Sequence, residues 1–123
     1  MQGYLYSELT KKIIGQAIKV HEKLGPGLPE KLYQRALYLE FQRNRMKFKR
    51  EAKITIKYDK VRIGYQQVDF IIEDKIIIEI KSVKEINNIH IGQLISYLKA
   101  SGLNIGLILN FAKTKLEIKR IKV

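Results

Sequence analysis

Two apolar runs near the middle of the chain restrict its fold more than anything else in it: Val68-Asp69-Phe70-Ile71-Ile72 and Ile76-Ile77-Ile78-Glu79-Ile80-Lys81. Short runs this rich in β-branched residues read as buried strands. A charge inside such a strand is costly unless something pairs with it. Asp69, Glu79 and Lys81 therefore call for partners, and a bound metal ion and a phosphate are the natural candidates.

The tie between the runs is Glu73-Asp74-Lys75. A three-residue loop there pairs Ile72 with Ile76 and sets Asp69 directly opposite Glu79. A two-residue loop would shift the register by one and send the carboxylates to opposite faces. The odd loop is the expected one. Directly opposed residues hold their Cβ atoms about 5 Å apart. Two carboxylates at that distance repel by roughly 3 kcal/mol at an effective dielectric of ~20. A divalent cation reverses the sign, since Mg²⁺ takes oxygen ligands, usually with one or two carboxylates among them. The Ile80 carbonyl lies between the charged positions and is a third candidate ligand. Lys81, two residues beyond Glu79, shares its face. It is placed to neutralise a phosphate oxygen or to hold an attacking water. The competing reading is an ordinary Asp/Glu–Lys cluster at a solvated sheet edge, which the flanking isoleucines disfavour.

Around these strands the pattern gives α-α-β-β-β-α-β-β, a sheet with helices packed on it in the mixed α/β class. Ser7 reads as an N-cap before Leu9, Ile13, Ala17, Val20 and Leu24 at helical spacing, and Gly25-Pro26-Gly27 ends that helix. Pro29 suits the first position of a second helix, carried by Leu32, Tyr33, Ala36, Leu37, Leu39 and Phe41 to about Asn44. Strands are expected over Phe48–Tyr58, Gln66–Ile72 and Lys75–Ser82, with a short extended stretch Val61–Ile63 leading to Gly64. A third helix is expected over Ile89–Ala100 with Leu94, Ile95 and Leu98 inward. Strands Ile105–Leu109 and Leu116–Ile121 close the chain.

The 123 residues suffice for one domain, read here as residues 1–123. No apolar stretch is long enough to span a bilayer. Met1-Gln2-Gly3-Tyr4 starts no signal peptide. The absence of Cys excludes disulfides and thiolate metal sites. Together these features point to the cytoplasm. Lys plus Arg number 24 against 12 for Asp plus Glu, a net charge of +12. That balance favours a polyanionic partner, nucleic acid first.

Further polar residues fall at spacings that allow chemistry. Glu30 sits in the first turn of the second helix, where it serves the helix dipole or adds an acid near the metal. Tyr33, three residues on, shares its face and either bonds Glu30 or a phosphate, or packs. Gln93 and Tyr97 stand at i, i+4 on the third helix, able to orient Lys81, a water or a nucleic-acid strand. His21 reads as structural, and His90 takes no assigned role.

Asp69, then Glu79-Ile80-Lys81, then a helix carrying Gln93 and Tyr97, together resemble the PD-(D/E)XK nuclease superfamily. Gln93-Leu94-Ile95-Ser96-Tyr97 resembles the Q-x-x-x-Y motif of its RecB-like members. Leu24-Gly25-Pro26-Gly27-Leu28-Pro29-Glu30-Lys31-Leu32-Tyr33 is similar to the signature of the GxxExxY proteins within it. The likeness implies a restriction-endonuclease-like fold, Mg²⁺ or Mn²⁺, and hydrolysis of DNA phosphodiesters. It makes Asp69 and Glu79 metal ligands, Lys81 the catalytic lysine, Glu30 a helix-borne acid and Gln93 with Tyr97 an accessory pair. Val68 stands where the superfamily motif has its Pro, and the Arg that the resemblance leads one to expect near Gln67 is absent. A subunit that binds nucleic acid with little or no turnover is the alternative, and a small protein whose basic surface meets an acidic protein is a third. One site per chain suits a homodimer for cutting both strands.

Overall fold

The structure is a computed structural model and describes residues 5–123, so the reading of Met1 to Tyr4 lies outside the described residues. Helices α1 (Ser7–Leu24) and α2 (Glu30–Arg43) precede strands β1 (Phe48–Tyr58), β2 (Val61–Ile72) and β3 (Ile76–Lys81). Helix α3 (Asn88–Ser101) and strands β4 (Ile105–Asn110) and β5 (Glu117–Lys122) follow. The order is the one the pattern predicts. The strands form one sheet in the order β1-β2-β3-β4-β5. Only β3 and β4 run parallel, with α3 as their crossover, and the other neighbours are antiparallel.

Helices cover both faces. Ile13, Ala17 and Val20 of α1 and Tyr33, Leu37 and Phe41 of α2 pack on Phe70, Ile72, Ile76, Ile78, Ile80, Leu107 and Leu109. On the other face Leu94, Tyr97 and Leu98 of α3 pack on Ala52, Ile54, Val68, Ile77, Ile108 and Ile121. Such two-sided cover explains why β3 and β4 read as unbroken apolar runs. Each fully buried Ile or Leu there contributes roughly 1.5–3 kcal/mol. Gly106 lets α3 sit close to β4, since a Cβ at that position would lie 2.8 Å from both Leu94 Cδ atoms.

Several boundaries differ from the sequence reading. Ser7 is the first residue of α1 and not its cap; Tyr6 holds the cap position with no side-chain bond, because it enters from the left-handed region at φ 57°. Pro29 stands one place earlier than read, at the extended N-cap of α2. Leu32 and Leu39 are exposed, and the buried face of α2 includes the polar Gln34 and Glu40. β2 is continuous from Val61, because Gly64 pairs with Ile56 beside a bulge and does not break the strand. His90 has a role after all: it closes a capping box with Asn87 at the start of α3, its Nδ1 accepting from the Asn87 N–H at 3.2 Å.

Candidate active site

The register between β2 and β3 pairs Phe70 with Ile78, Ile71 with Ile77 and Ile72 with Ile76. Glu73 and Asp74 both take positive φ, and the Lys75 N–H donates to the Ile72 carbonyl at 2.9 Å. Those two residues alone would make a two-residue turn of the primed kind. Lys75 is the extra residue that makes the loop odd. Continued one step, the register sets Asp69 opposite Glu79, as a three-residue loop requires.

At that step the strands stop bonding backbone to backbone, and side chains fill the gap. Glu79 Oε2 accepts from the Asp69 N–H at 3.1 Å, and Asp69 Oδ2 accepts from the Ile80 N–H at 2.8 Å. Each acid thus occupies the other strand's ladder position. The N–H and C=O of one extended residue point the same way along the sheet, so the Ile80 carbonyl opens on this gap. Lys81 faces the other way with its carbonyl, which accepts from the Phe111 N–H at 2.9 Å.

A kink in the β1–β2 hairpin delivers Asp69 to this place. Phe48 packs with Phe70 against the α1/α2 core, whereas Ala52 and Val68 pack against α3. Strict alternation would keep Phe48, Ala52, Phe70 and Val68 on one face. Both strands swap faces at the level of Glu51 and Asp69, where the ladder passes from Arg50↔Phe70 directly to Ala52↔Val68. Glu51 takes φ 51°, an uncommon conformation for its residue type. It forms an ion pair with Lys31 of α2, which holds its carboxyl below the usual range.

Gln34 on α2 completes the pair's surroundings, and the sequence reading missed it. It is 3% exposed, and its Nε2 donates to Asp69 Oδ1 at 2.6 Å. Its Oε1 accepts from Arg50 Nε at 3.2 Å, and the Arg50 guanidinium lies 4.5 Å from the Tyr38 ring centroid. The chain Tyr38–Arg50–Gln34–Asp69 fixes both the amide and the carboxylate it serves. Its only sequence signal is an amide one turn into a helix, which has no local signature.

Glu79 carries the electrostatic strain. Burial, and then the Asp69 charge beside it, pushes its carboxyl from the ordinary 4.5 up to about 8. The Asp69 N–H and Lys81 act in the opposite sense. Tyr97 reaches the same region from α3: burial, with the Glu79 charge second, raises its hydroxyl, which donates to Gln66 Oε1 at 3.4 Å.

The remaining candidates sit differently. Lys81 is half-buried and, among the described residues, forms no salt bridge. Glu30 is not packed with the carboxylate pair; its Oε2 accepts from the Ser82 N–H at 3.2 Å, just past Lys81. Gln93 is exposed, one turn before Tyr97, and has no hydrogen-bond partner among the described residues. Tyr33 does not bond Glu30. It is fully buried, its hydroxyl donates to the Gly25 carbonyl at 2.5 Å and accepts from the Leu28 N–H at 3.1 Å. Its ring stacks on Phe111 at 4.4 Å. Tyr33 thereby pins the Gly25–Leu28 loop that leads into Glu30. His21 is structural, its Nε2 lying 2.8 Å from the Lys113 carbonyl oxygen.

Among the described residues no three His, Asp or Glu side chains cluster as a metal cage. The donor set on offer is two carboxylates and one strand carbonyl. No described helix is long and apolar enough to cross a membrane. A family model described as the PD-(D/E)XK nuclease superfamily matches residues 7–121. No curated protein and no solved structure matches the chain.

Proposed function

The chain belongs to the PD-(D/E)XK nuclease superfamily and has its restriction-endonuclease-like fold, and on that premise we propose that it is a divalent-metal-dependent nuclease that hydrolyses DNA phosphodiesters. The observation that carries this reading is the reciprocal Asp69–Glu79 arrangement. Two acids are held side by side between strands without a salt-bridged cation among the described residues, and burial, with the Asp69 charge second, drives Glu79 toward protonation. That donor set fits Mg²⁺ or Mn²⁺, which accept one or two carboxylates and fill the remaining positions with water and phosphate oxygens. Asp69, Glu79 and the Ile80 carbonyl would hold the ion, with Glu30 able to join through water.

A divalent ion bound there supplies Lewis acidity and a bound water of lowered pKa. The residues of the chain do the rest. Gln34 and the Ile80 N–H orient the Asp69 carboxylate through its two oxygens. Lys81, on the Glu79 face, places its ammonium where a phosphate oxygen or the attacking water would stand. Tyr97 and Gln93 line the α3 side of the approach. The Gly27–Tyr33 segment and the Gln93–Tyr97 spacing further support a GxxExxY protein of the RecB-like branch, built as one domain over residues 1–123.

The test is cleavage of DNA with Mg²⁺ or Mn²⁺ by the wild type and by Asp69→Ala and Lys81→Ala. Activity lost in both, with the circular dichroism spectrum kept, supports the assignment; turnover untouched by both sinks it. Salt-dependent binding without cleavage under any metal would instead mark a nucleic-acid-binding subunit. Cutting both strands of a duplex would suit a homodimer, and a sedimentation mass of one chain at working concentration would exclude it.

A further inference from the structure

The β1–β2 hairpin is far longer than the site needs. Only Phe70, Ile71 and Ile72 of β2 pair with β3. The rest of the hairpin extends beyond this pairing as an arm whose β1 side lies along α3, paired to its tip at Tyr58↔Val61. Asp69 lies eight positions beyond Val61, roughly 25 Å of extended chain.

The two faces of this arm differ. Ala52, Ile54 and Val68 turn one face onto α3. The alternate residues Lys53, Thr55, Tyr65 and Gln67 turn away from it and are exposed. Tyr58 is 68% exposed, Val61 64%, Ile63 66% and Tyr65 47%. Four large apolar side chains lie bare on one hairpin, interleaved with Lys53, Lys57, Lys60 and Arg62 against the single acid Asp59. Lys53 Nζ sits over the Tyr65 ring, 4.8 Å from its centroid, a cation–π contact that occupies one face of that ring. A groove of about 830 Å³ runs between β1 and the last turns of α3, where Lys53, Lys57 and Lys99 outnumber the one acid, Asp74.

We propose that this arm is a stacking platform for unpaired nucleotides, so that the substrate is single-stranded or locally splayed nucleic acid lying along the arm toward Asp69. Exposed aromatic faces gain from bases whose own faces are free, and in a duplex those faces are already stacked. The surrounding cations match the phosphates of such a strand, whereas a second copy of the arm would bring like charges together. The arm is continuous with the site, as Gln67 is two residues from Asp69. This inference deepens the nuclease reading by naming its substrate class and rests on it for the location of the scissile bond.

The experiment measures binding by the full chain in a chelator, so that no cleavage occurs. The probe is a labelled oligonucleotide of about 20 nucleotides, longer than the ~4–16 a single platform covers, single-stranded or annealed to its complement. Wild type is expected to prefer the single strand. Tyr58→Ser with Tyr65→Ser is expected to lose about tenfold or more of that affinity, drawing the single-strand-to-duplex ratio toward one. Lys57→Ala with Lys60→Ala is expected to weaken both probes and flatten the salt dependence. Because both tyrosines are exposed, the thermal midpoint should hold; a shifted midpoint moves the test to the single Tyr58→Ser variant at the tip. No single-strand preference, or unchanged binding by the tyrosine variants, overturns the proposal. So does a wild-type dimer that the tyrosine variants dissociate, which would make the arm an interface between copies. Cleavage with Mn²⁺ is scored separately. Tyrosine-dependent single-strand binding without cleavage leaves the arm standing and removes the nuclease reading, and cleavage without it does the reverse.

Discussion

Glu79→Gln replaces the titrating carboxyl of the pair with a neutral amide while keeping the size and an acceptor for the Asp69 N–H. The folded protein holds the Glu79 proton up to about pH 8, whereas the unfolded chain releases it near 4.5. Between those values the folded state binds more protons, so this group's contribution to stability falls as pH rises through the window and levels off above pH 8. The gap corresponds to a ceiling of about 5 kcal/mol at ~1.4 kcal/mol per pH unit. Gln carries no such proton equilibrium. The variant is therefore expected to match the wild type near pH 4.5 and to exceed it by a few kcal/mol at pH 9, as read from urea denaturation in a chelator. Mg²⁺ should narrow the difference by stabilising the wild type alone. A variant no more stable than wild type at pH 9, or an advantage that does not change between pH 5 and pH 9, would refute the reasoning that Glu79 is strained by burial and by Asp69.

Other substitutions probe the frame around that pair. Gln34→Leu takes the amide from Asp69 Oδ1 and leaves Arg50 without its acceptor, and should lower Mn²⁺ affinity on the order of 10- to 100-fold in a calorimetric titration. Tyr33→Phe keeps the stack on Phe111 but strips the hydroxyl from Gly25 and Leu28, an expected loss of about 1–3 kcal/mol in urea denaturation. Gly106→Ala drives a methyl into Leu94 and should cost roughly 1–3 kcal/mol by the same measurement, with α3 displaced from β4.

The parts of the site that obey a period were legible in the sequence. Register follows from hydrophobic runs and loop length, so the Ile72–Ile76 pairing and the Asp69–Glu79 opposition could be read from residues 68–81 alone. What escaped depends on residues distant in sequence. Gln34 meets Asp69 across 35 positions, and nothing beside it in α2 marks an amide as buried. The face swap at Glu51 was equally hidden. Phe48, Ala52, Ile54 and Ile56 look like one alternating strand, and no residue type there announces a positive φ. Gly64 misled in the other direction, since a missing side chain suggested a break where the hairpin merely bulges. The cap at Tyr6 and the exposed Leu32 and Leu39 show local propensity yielding to tertiary packing.

The loop at Glu73-Asp74-Lys75 makes the site a matter of parity. Because strand faces repeat every second residue, losing or gaining one residue here would leave a well-formed hairpin whose two acids no longer meet. A change of two would restore their shared face, though displaced along the strand. Lys75 is thus irreplaceable in number and ordinary in kind. Almost any residue can stand there, but one must, and the inheritance of this loop is expected to tolerate substitution while purging single-residue length changes.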